Sequence, residues 1–426
     1  MKLPEEKDEL RQANLFLRGL PVGAGCRKEK LVIMCVQNKE IFKRILLGSS
    51  MVVCLLFIGC RNNSVDPYNR GAASDEKGEY DQVISDYTRA ISDYTRAIEI
   101  NPKDIKSYNN RGNAYNRKGE YDLAIADYNK AIEINPRFAE AYGNRGIAYD
   151  AKGQYDLAIS DYTRAIEINP RFAMAYYNRG DAFDSKGEPD RAISDYTKAI
   201  EINPKDIKSY NNRGNVYNRK GEYDRAISDY DKALEINPKY DGAYYNRGLA
   251  YNRKGEYDRA ISDYTRAIGI NPDNADAYYN RGLVYSEKGE YDRAISDYDK
   301  ALEINPRFDM AYYNRGNAYD KKAEYDRAIS DYTKAIEINP KDIKSYNNRG
   351  ITYGKKGKYD LAISDFSKAI EINPRYAKAY NDRAVGYCVK GEYDKAWEDV
   401  HKVQSLGYQV YPGFLKTLRE ASGREE

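Results

Sequence analysis

The sequence has little of the residue types on which enzymes most often depend. Its 426 residues include one histidine, His401, and five cysteines, four of them between Cys26 and Cys60. General acid–base and nucleophilic catalysis commonly use a histidine, or a cysteine or lysine that is activated in a pocket. The chain also lacks a glycine-rich phosphate loop, an HExxH motif and any zinc-ligand or disulfide spacing. We therefore expect no catalytic residues, no metal and no cofactor.

A strong excess of either charge is also missing. Lysine and arginine total 69 and aspartate and glutamate total 66, which gives a formal net charge of +3. This balance does not favour nucleic acid as a partner. Hydrophobic residues make up 41% and charged residues 32%, as in ordinary folded proteins, so wholesale disorder is not expected.

Tryptophan and phenylalanine are scarce, whereas tyrosine is abundant. The chain has one Trp and nine Phe against 44 Tyr, a bias that indicates one segment copied many times. The dipeptide Asn-Pro recurs every 34 residues, beginning at Asn101, Asn135, Asn169, Asn203, Asn237, Asn271, Asn305, Asn339 and Asn373. The repeat is therefore the organising feature of the sequence.

Each repeat reads as two helices. In the unit from Ala139 to Phe172, Tyr142, Gly146 and Tyr149 lie at i, i+4 and i+7, on one face of a first helix. Gly153 is expected to end that helix in a left-handed conformation.

The second helix of the unit follows the same spacing. Ala158, Tyr162 and Ala165 share one face, and Asn169-Pro170 ends the helix because proline disfavours helical geometry in the preceding residue. The small residues allow close approach of the two helices, and the tyrosines fill the space beside them.

The pattern resembles the tetratricopeptide repeat (TPR) family. With Ala139 as position 1, the family's marker positions 4, 8, 11, 20, 24, 27 and 32 are occupied here by Tyr142, Gly146, Tyr149, Ala158, Tyr162, Ala165 and Pro170. The resemblance covers roughly residues 66–408 and implies about ten repeats in an all-α, right-handed superhelical solenoid. It departs from the family at position 7, where Arg145 replaces an often apolar residue.

The two ends of the array differ from its middle. ISDYTRA occurs twice in tandem, at 84–90 and 91–97, and seven residues are nearly two helical turns. We therefore predict one longer helix over about 80–100 without a break near Ala90. Residues 409–426 form the C-terminal end, in which 412–421 is predicted to be a capping helix with Phe414, Leu415 and Leu418 on one side.

Arginine and aspartate border the buried seam between the two helices of a repeat. Arg145 flanks the first-helix seam and Asp161 flanks the matching seam of the second helix, and the same residue types recur as Arg179 with Asp195 and Arg213 with Asp229. We predict structural ion pairs, within one repeat or with the next, because a buried guanidinium needs a partner. The alternative is that these arginines bind acidic ligands.

Asparagine occupies position 6, on the face of the first helix opposite the seam. The residues are Asn110, Asn144, Asn178, Asn212, Asn246, Asn280, Asn314 and Asn348, with Asp382 in the last unit. Helix propensity does not explain this choice. An amide offers both donors and acceptors, as an extended peptide backbone requires. The row resembles the asparagine ladder in the TPR superhelix of O-GlcNAc transferase, which implies sequence-tolerant binding of an extended polypeptide in the concave groove.

Two other interpretations of this face stay open. Duplication could simply have copied the asparagine, since KDIKSYNNRG appears at 103–112, 205–214 and 341–350. Tyrosines at position 5 could stack on a ligand or pack against the next helix, and packing is the expectation; they are Tyr177, Tyr245, Tyr279 and Tyr313.

The segment before the repeats resembles a bacterial lipoprotein signal peptide. Lys43 and Arg44 precede an apolar run over 45–59 that ends at Cys60, with Phe57 in place of the usual leucine of the lipobox. The resemblance implies cleavage before Cys60 and lipidation of its sulfur. Because Arg61 rather than an aspartate follows, it implies an outer-membrane lipoprotein that faces the periplasm.

This segment gives the expected domain plan. Residues 1–33 read as a non-native extension before a start at Met34, 34–59 as a signal peptide or membrane anchor, and 60–65 as a tether. The alternatives are an uncleaved signal anchor or an apolar segment without export.

Together these patterns predict a protein–protein interaction scaffold of the cell envelope that binds extended peptide segments. The expected partners are proteins or peptides, and the membrane through Cys60, but not nucleic acid. A structural spacer without a specific ligand and a regulatory or assembly subunit of an envelope complex are the alternatives.

Overall fold

A computed structural model describes residues 77–424 of the chain. Contacts divide the chain into residues 1–83 and 84–426, and the described part of the first unit, 77–83, is helical. The predictions on Met34, Cys60 and the segments 1–33, 34–59 and 60–65 lie outside the described residues.

Within 77–424 the secondary structure consists of twenty α-helices and no strand. After α1, nine pairs of a 13-residue first helix and a second helix follow, and a final helix ends the array. The bounds are α1 (Lys77–Ile100), α2 (Ile105–Arg117), α3 (Tyr121–Ile134), α4 (Ala139–Ala151), α5 (Tyr155–Ile168), α6 (Ala173–Ser185), α7 (Pro189–Ile202), α8 (Ile207–Arg219), α9 (Tyr223–Ile236), α10 (Asp241–Arg253), α11 (Tyr257–Ile270), α12 (Ala275–Glu287), α13 (Tyr291–Ile304), α14 (Asp309–Lys321), α15 (Tyr325–Ile338), α16 (Ile343–Lys355), α17 (Tyr359–Ile372), α18 (Ala377–Val389), α19 (Tyr393–Ser405) and α20 (Pro412–Ser422).

The turns end the helices as the sequence predicts. Gly153, after α4, has φ +71°, a left-handed conformation that costs glycine little. Asn169, after α5, has φ −130°, and its side-chain oxygen accepts the backbone N–H of Arg171 at 3.1 Å. Most repeats therefore contain one glycine turn and one Asn-Pro turn; Ala323 replaces the glycine in one repeat, and Leu406-Gly407 follows the second helix of the last.

Small and large residues interlock within each repeat. A Cβ atom on Gly146 would lie 2.6 Å from Cε1 of Tyr162, and that tyrosine is 1% exposed. In the last repeat Ala384 stands at the glycine position, and Val400 stands where the tyrosine would be. Both are fully buried, so Val400, which is smaller than tyrosine, leaves room for the methyl group of Ala384 on the other helix.

The repeats stack in a fixed order. Each second helix packs against its own first helix and against the first helix of the next repeat. Consecutive first helices also contact each other, whereas within 77–424 consecutive second helices make no comparable contact. The first helices therefore lie on the inner side of the stack and the second helices on the outer side.

Both predicted end structures are present. Helix α1 is a continuous 24-residue helix, which confirms the single long helix expected from the tandem heptad. Helix α20 covers the last repeat, where Leu418 is fully buried with Trp397 and Val403, and Phe414 and Leu415 pack beside them. The capping helix is thus confirmed.

Candidate functional site

The inner face of the array is formed by positions 2, 5, 6, 9, 12 and 13 of the first helices. The eight asparagines at position 6 all lie on this face and are partly buried. Their side chains are therefore held by neighbouring residues while one side stays open to solvent.

The amide nitrogens of six of these asparagines donate hydrogen bonds to the preceding repeat. Each acceptor is the side chain at position 5, 35 residues earlier. The bonds are Asn144 to Asn109 (3.0 Å), Asn212 to Tyr177 (3.0 Å), Asn246 to Asn211 (3.0 Å), Asn280 to Tyr245 (3.0 Å), Asn314 to Tyr279 (2.9 Å) and Asn348 to Tyr313 (3.1 Å).

This arrangement corrects one expectation from the sequence. An amide that offers both a donor and an acceptor to a ligand is not what four of these positions provide, because both N–H groups of the amide already have acceptors within the protein. The four are Asn212, Asn280, Asn314 and Asn348, whereas Asn144 and Asn246 keep one N–H without an internal acceptor. The 34-residue period could not show this, since the bond joins two repeats through the variable residue at position 5. A polar residue at position 5 is the signal that would have indicated it.

Asn178 differs from the other asparagines because its neighbour is a glycine. Position 5 of the preceding repeat is Gly143, which has no side chain to accept a bond. Within 77–424 the Asn178 amide makes no hydrogen bond, so both its nitrogen and its oxygen are available. The counterpart of Asn110 would be residue 75, which lies outside the described residues.

The tyrosines at position 5 pack as the sequence analysis expected. The rings of Tyr177 and Tyr196 are 6.0 Å apart, and Tyr245 and Tyr264 have the same spacing. Burial raises the pKa of Tyr279 to about 12, so the hydroxyl stays protonated. These tyrosines therefore support the asparagines instead of stacking on a ligand.

The seam arginines form the expected ion pairs. Arg145 donates from Nε and Nη2 to the two carboxylate oxygens of Asp161 at 2.7 and 2.6 Å. Arg179 with Asp195 and Arg213 with Asp229 have the same two-bond geometry at 2.7–2.8 Å. The hydrogen bonds to Asp161 raise the pKa of the Arg145 guanidinium, which keeps the arginine charged. Burial raises the pKa of Asp161, and the hydrogen bonds from Arg145 act in the opposite direction.

The same arginines also join neighbouring repeats. Nη1 of Arg179 donates to Thr163 of the preceding second helix at 2.9 Å, and Arg213 donates to Thr197 at 2.8 Å. The guanidinium of Arg145 also lies near the rings of Tyr142 and Tyr149, at 5.5 and 5.9 Å. With so many internal contacts, these groups are structural and do not present a surface for acidic ligands.

Charge on the inner face changes along the array. The repeats of α4 and α6 contribute carboxylates, at Glu140, Asp150, Asp181 and Asp184. Burial, with a smaller contribution from Asp181, raises the pKa of Asp150 to about 6. The repeats of α16 and α18 contribute lysines, at Lys344, Lys355 and Lys378, of which Lys355 pairs with Asp320. Asp382 occupies position 6 of the last repeat and accepts a hydrogen bond from Asn347 at 3.1 Å.

The C-terminal end of the inner face is apolar. Positions 9 and 13 of the last repeat are Val385 and Val389, which are 39% and 54% exposed. Together with Cys388, Tyr411 and Phe414 they line a cavity of about 490 Å³ between α18 and α20. This cavity could accept an apolar side chain at the end of the groove.

Two general properties of residues 77–424 bear on partners. No group of three or more His, Cys, Asp or Glu in this range is placed to hold a metal ion. No helix in this range is both long and apolar enough to span a membrane.

Sequence profiles of the tetratricopeptide repeat match most of the described array. One matches residues 105–138, 139–172, 173–206, 275–308, 310–342 and 343–376, a second TPR profile matches 84–119, 214–255 and 250–289, and a third matches 195–228. The chain belongs to the tetratricopeptide repeat family, whose repeats form protein-interaction scaffolds. A comparison with curated proteins gives no match.

Solved structures of TPR proteins are similar to parts of this chain. A TPR protein from Parabacteroides merdae is 25% identical, with a TM-score of 0.44, and the match covers 59% of this chain and 99% of that one. YrrB, described as a TPR protein with an unusual peptide-binding site, is 29% identical over 43% of this chain and 95% of its own, with a TM-score of 0.38. MamA is 36% identical over 39% of this chain and 96% of its own, with a TM-score of 0.37.

Proposed function

We propose that this protein is a non-enzymatic scaffold that binds an extended polypeptide segment along the inner face of its first helices. The observation that carries the proposal is the row of partly exposed asparagine side chains, one per repeat, on a surface where helix propensity disfavours asparagine. A net contribution on the order of 1 kcal/mol from each hydrogen bond requires several repeats to act together.

The ends of the groove add selectivity to this otherwise tolerant surface. Carboxylates around Asp150 and Asp181 favour basic residues in one part of the ligand. The valines and Phe414 at the other end offer an apolar site beside the lysines of the last two repeats. A preferred ligand therefore combines a basic stretch with an apolar side chain flanked by acidic residues.

The test uses a triple variant of the inner face. Twelve-residue peptides selected from a random display library on the full-length protein serve as probes. Changing Asn178, Asn212 and Asn246 to alanine should lower their affinity at least tenfold, because three hydrogen-bonding side chains are lost. Unchanged affinity would remove the proposal.

A matched control keeps the number of substitutions and moves them to the outer helices. Lys130, Lys198 and Lys232 lie on second helices, more than half exposed, each paired only with a nearby glutamate. Their triple alanine variant should bind the probes normally. Circular dichroism of both variants checks that the array stays folded, and Asn178→Ala alone removes no internal hydrogen bond.

One observation favours a second function, a structural spacer. Six asparagines already donate to the preceding repeat, so the row could serve only to hold the repeats together. A spacer would yield no selected peptide whose binding depends on the inner face. The same triple variant therefore separates the two functions.

We also propose that the array is attached to a bacterial envelope membrane through lipidated Cys60, with the outer membrane and the periplasm as its location. The support is the basic, apolar and cysteine order of residues 43–60. Mass spectrometry of the mature protein should find an N-terminal, lipidated Cys60. An intact peptide that spans Gly59 and Cys60 would contradict cleavage.

A further inference from the structure

We infer that the inner face is mainly a track of hydrogen-bond acceptors, in which the asparagines whose two amide N–H groups are already bonded inside the array bind the backbone N–H groups of the ligand and not its carbonyl groups. This inference rests on the proposed function and specifies the chemistry of the same groove. It follows from which atom of each asparagine the protein itself uses.

The direction of the amides is fixed by partners that can only accept. Nδ2 of Asn280 donates to the backbone carbonyl oxygen of Asp276 at 2.8 Å as well as to Tyr245. Nδ2 of Asn314 donates to the carbonyl oxygen of Met310 at 3.0 Å. A flipped amide would place its oxygen against each carbonyl oxygen, so these two orientations are determined by chemistry.

A third amide is fixed by a carboxylate. Nδ2 of Asn212 donates to Asp181 at 3.0 Å as well as to Tyr177, and Asp181 also accepts the hydroxyl of Tyr196 at 2.6 Å. Burial raises the pKa of Asp181, and these hydrogen bonds act in the opposite direction. The Asn212 nitrogen is thus fully used inside the array.

The oxygens of several asparagines stay unused. Among the described residues no donor bonds the side-chain oxygen of Asn144, Asn246, Asn280 or Asn348. The amide nitrogens of Asn280 and Asn348 each have two internal acceptors, and those of Asn144 and Asn246 have one. A carbonyl oxygen has two lone pairs and needs a donor, and the side chains are only partly buried. The N–H groups of an extended chain are donors of the required kind.

Asn178 differs from these asparagines in the use of its amide nitrogen. Its nitrogen has no internal acceptor because position 5 of the preceding repeat is Gly143. This asparagine can therefore donate to a ligand carbonyl and accept from a ligand N–H at the same time. It marks one point on the groove where both backbone groups of the ligand are bound.

The experiment measures which backbone group of the ligand matters. A twelve-residue peptide selected from a random display library on the full-length protein is remade with single ester bonds in place of successive peptide bonds, which removes one N–H at a time. We expect esters at several separated positions each to lower the affinity about fivefold, the loss of one net hydrogen bond. If every ester binds within twofold of the parent peptide, the acceptor track is wrong while peptide binding itself stands. If no peptide is selected, the proposed function fails, and this inference fails with it.

Two variants of the protein test the same inference with the unmodified peptide. Tyr245→Phe removes the internal acceptor of Asn280 but leaves its oxygen and its bond to Asp276, so affinity should stay within about twofold. Asn280→Leu removes the oxygen and should lower affinity about fivefold. Equal losses in the two variants, with both folded by circular dichroism, would show that the amide acts only through packing and would overturn the inference.

Discussion

The turn between the two helices of a repeat shows how a single residue departs from the pattern. Eight repeats have glycine there with φ from +71° to +78°, whereas Ala323 occupies the same place with φ +59°. It is the one non-glycine residue within 77–424 with positive φ. A left-handed alanine brings its Cβ atom too close to the following carbonyl oxygen, so this turn stores strain.

Ala323→Gly should stabilise the array by about 1 kcal/mol, because the strain is relieved. The urea midpoint measured by circular dichroism should rise. The reverse change at an equivalent turn, Gly289→Ala, should lower it by a similar amount. A fall of the midpoint in Ala323→Gly would contradict the assignment of strain.

The buried tyrosine at position 24 depends on the residue at position 9. The hydroxyl of Tyr230 donates to Asn215 at 2.8 Å, whereas the hydroxyl of Tyr264 is buried without a hydrogen-bond partner because position 9 of its repeat is Leu249. In a further repeat position 9 is Ile351, and position 24 is Phe366, which needs no acceptor. The buried hydroxyl at position 24 thus has a hydrogen-bond partner only where the residue at position 9 is polar.

Tyr264→Phe should leave stability unchanged or raise it by up to about 1 kcal/mol, since it removes an unsatisfied buried hydroxyl. Tyr230→Phe should lower stability by about 1 kcal/mol, since it removes a satisfied one. Chemical unfolding of the two variants side by side tests the difference. Equal losses would show that both hydroxyls have partners.

At the scale of helices, the seam arginine links three elements at once. Arg179 of α6 bonds Asp195 of α7 and Thr163 of α5, so one side chain joins two helices of its repeat to the preceding repeat. Asp195 is 5% exposed. Removal of such a guanidinium leaves a buried carboxylate without its cation, which is more costly than the pair itself is stabilising.

Arg145→Ala should lower the free energy of unfolding by about 2–4 kcal/mol, because Asp161 loses its partner. Hydrogen exchange should show the loss of protection first in the repeat formed by α4 and α5, since each repeat contacts only its neighbours. Adding Asp161→Asn should recover part of the loss, because the stranded charge is gone. An unchanged melting curve for Arg145→Ala would count against the pair.

The carboxylates between α4 and α6 should make stability depend on pH. Burial raises the pKa of Asp150 from its ordinary value of 3.8 to about 6, so the folded state disfavours its ionised form. The array should therefore gain stability as the pH falls from 7.5 to 4.5. Asp150→Asn should be about 1 kcal/mol more stable than the natural chain at pH 7.5, a figure that allows for water around this partly exposed group. Urea titrations at the two pH values should show the difference shrink at pH 4.5, and a constant difference would contradict the assignment.

The elements were predictable from sequence because period, turn residues and small–large alternation are local signals. The single helix over 84–97 followed from a seven-residue insertion, and the seam pairing followed from charge and helical phase. The donors of the asparagine row were not predictable in the same way. Their acceptors, such as Tyr245 for Asn280, lie 35 residues away and vary between repeats, so only the packed coordinates show which atom of the amide is used.

At the scale of the whole molecule, nearest-neighbour contacts explain both the regular middle and the altered ends. The last second helix has no following repeat, and its Trp397 and Val400 pack instead under α20. An ion pair between Arg424 and Asp394 continues the lysine–aspartate pairs that join earlier repeats, such as Lys390 with Asp360. The C-terminal end is therefore covered by α20 and Arg424, which make contacts of the kind that a further repeat would make.

The stack places one asparagine per repeat along a continuous surface. Sequence could predict that surface, because position 6 is opposite the seam in every unit. The sequence could not predict how the charge environment changes along this surface. The carboxylate of Asp181 contributes to the raised pKa of Asp150, whereas the last two repeats carry lysines. These differences arise from variable positions that the repeat pattern does not constrain.

The most direct measurement is a crystal structure of the protein with a selected twelve-residue peptide bound. We predict an extended peptide on the first helices, with backbone nitrogens within about 3.2 Å of the side-chain oxygens of Asn144, Asn246 and Asn280. A peptide seated on the outer second helices, or peptide carbonyls bound by the amide nitrogens of Asn212, Asn280 and Asn348, would contradict it.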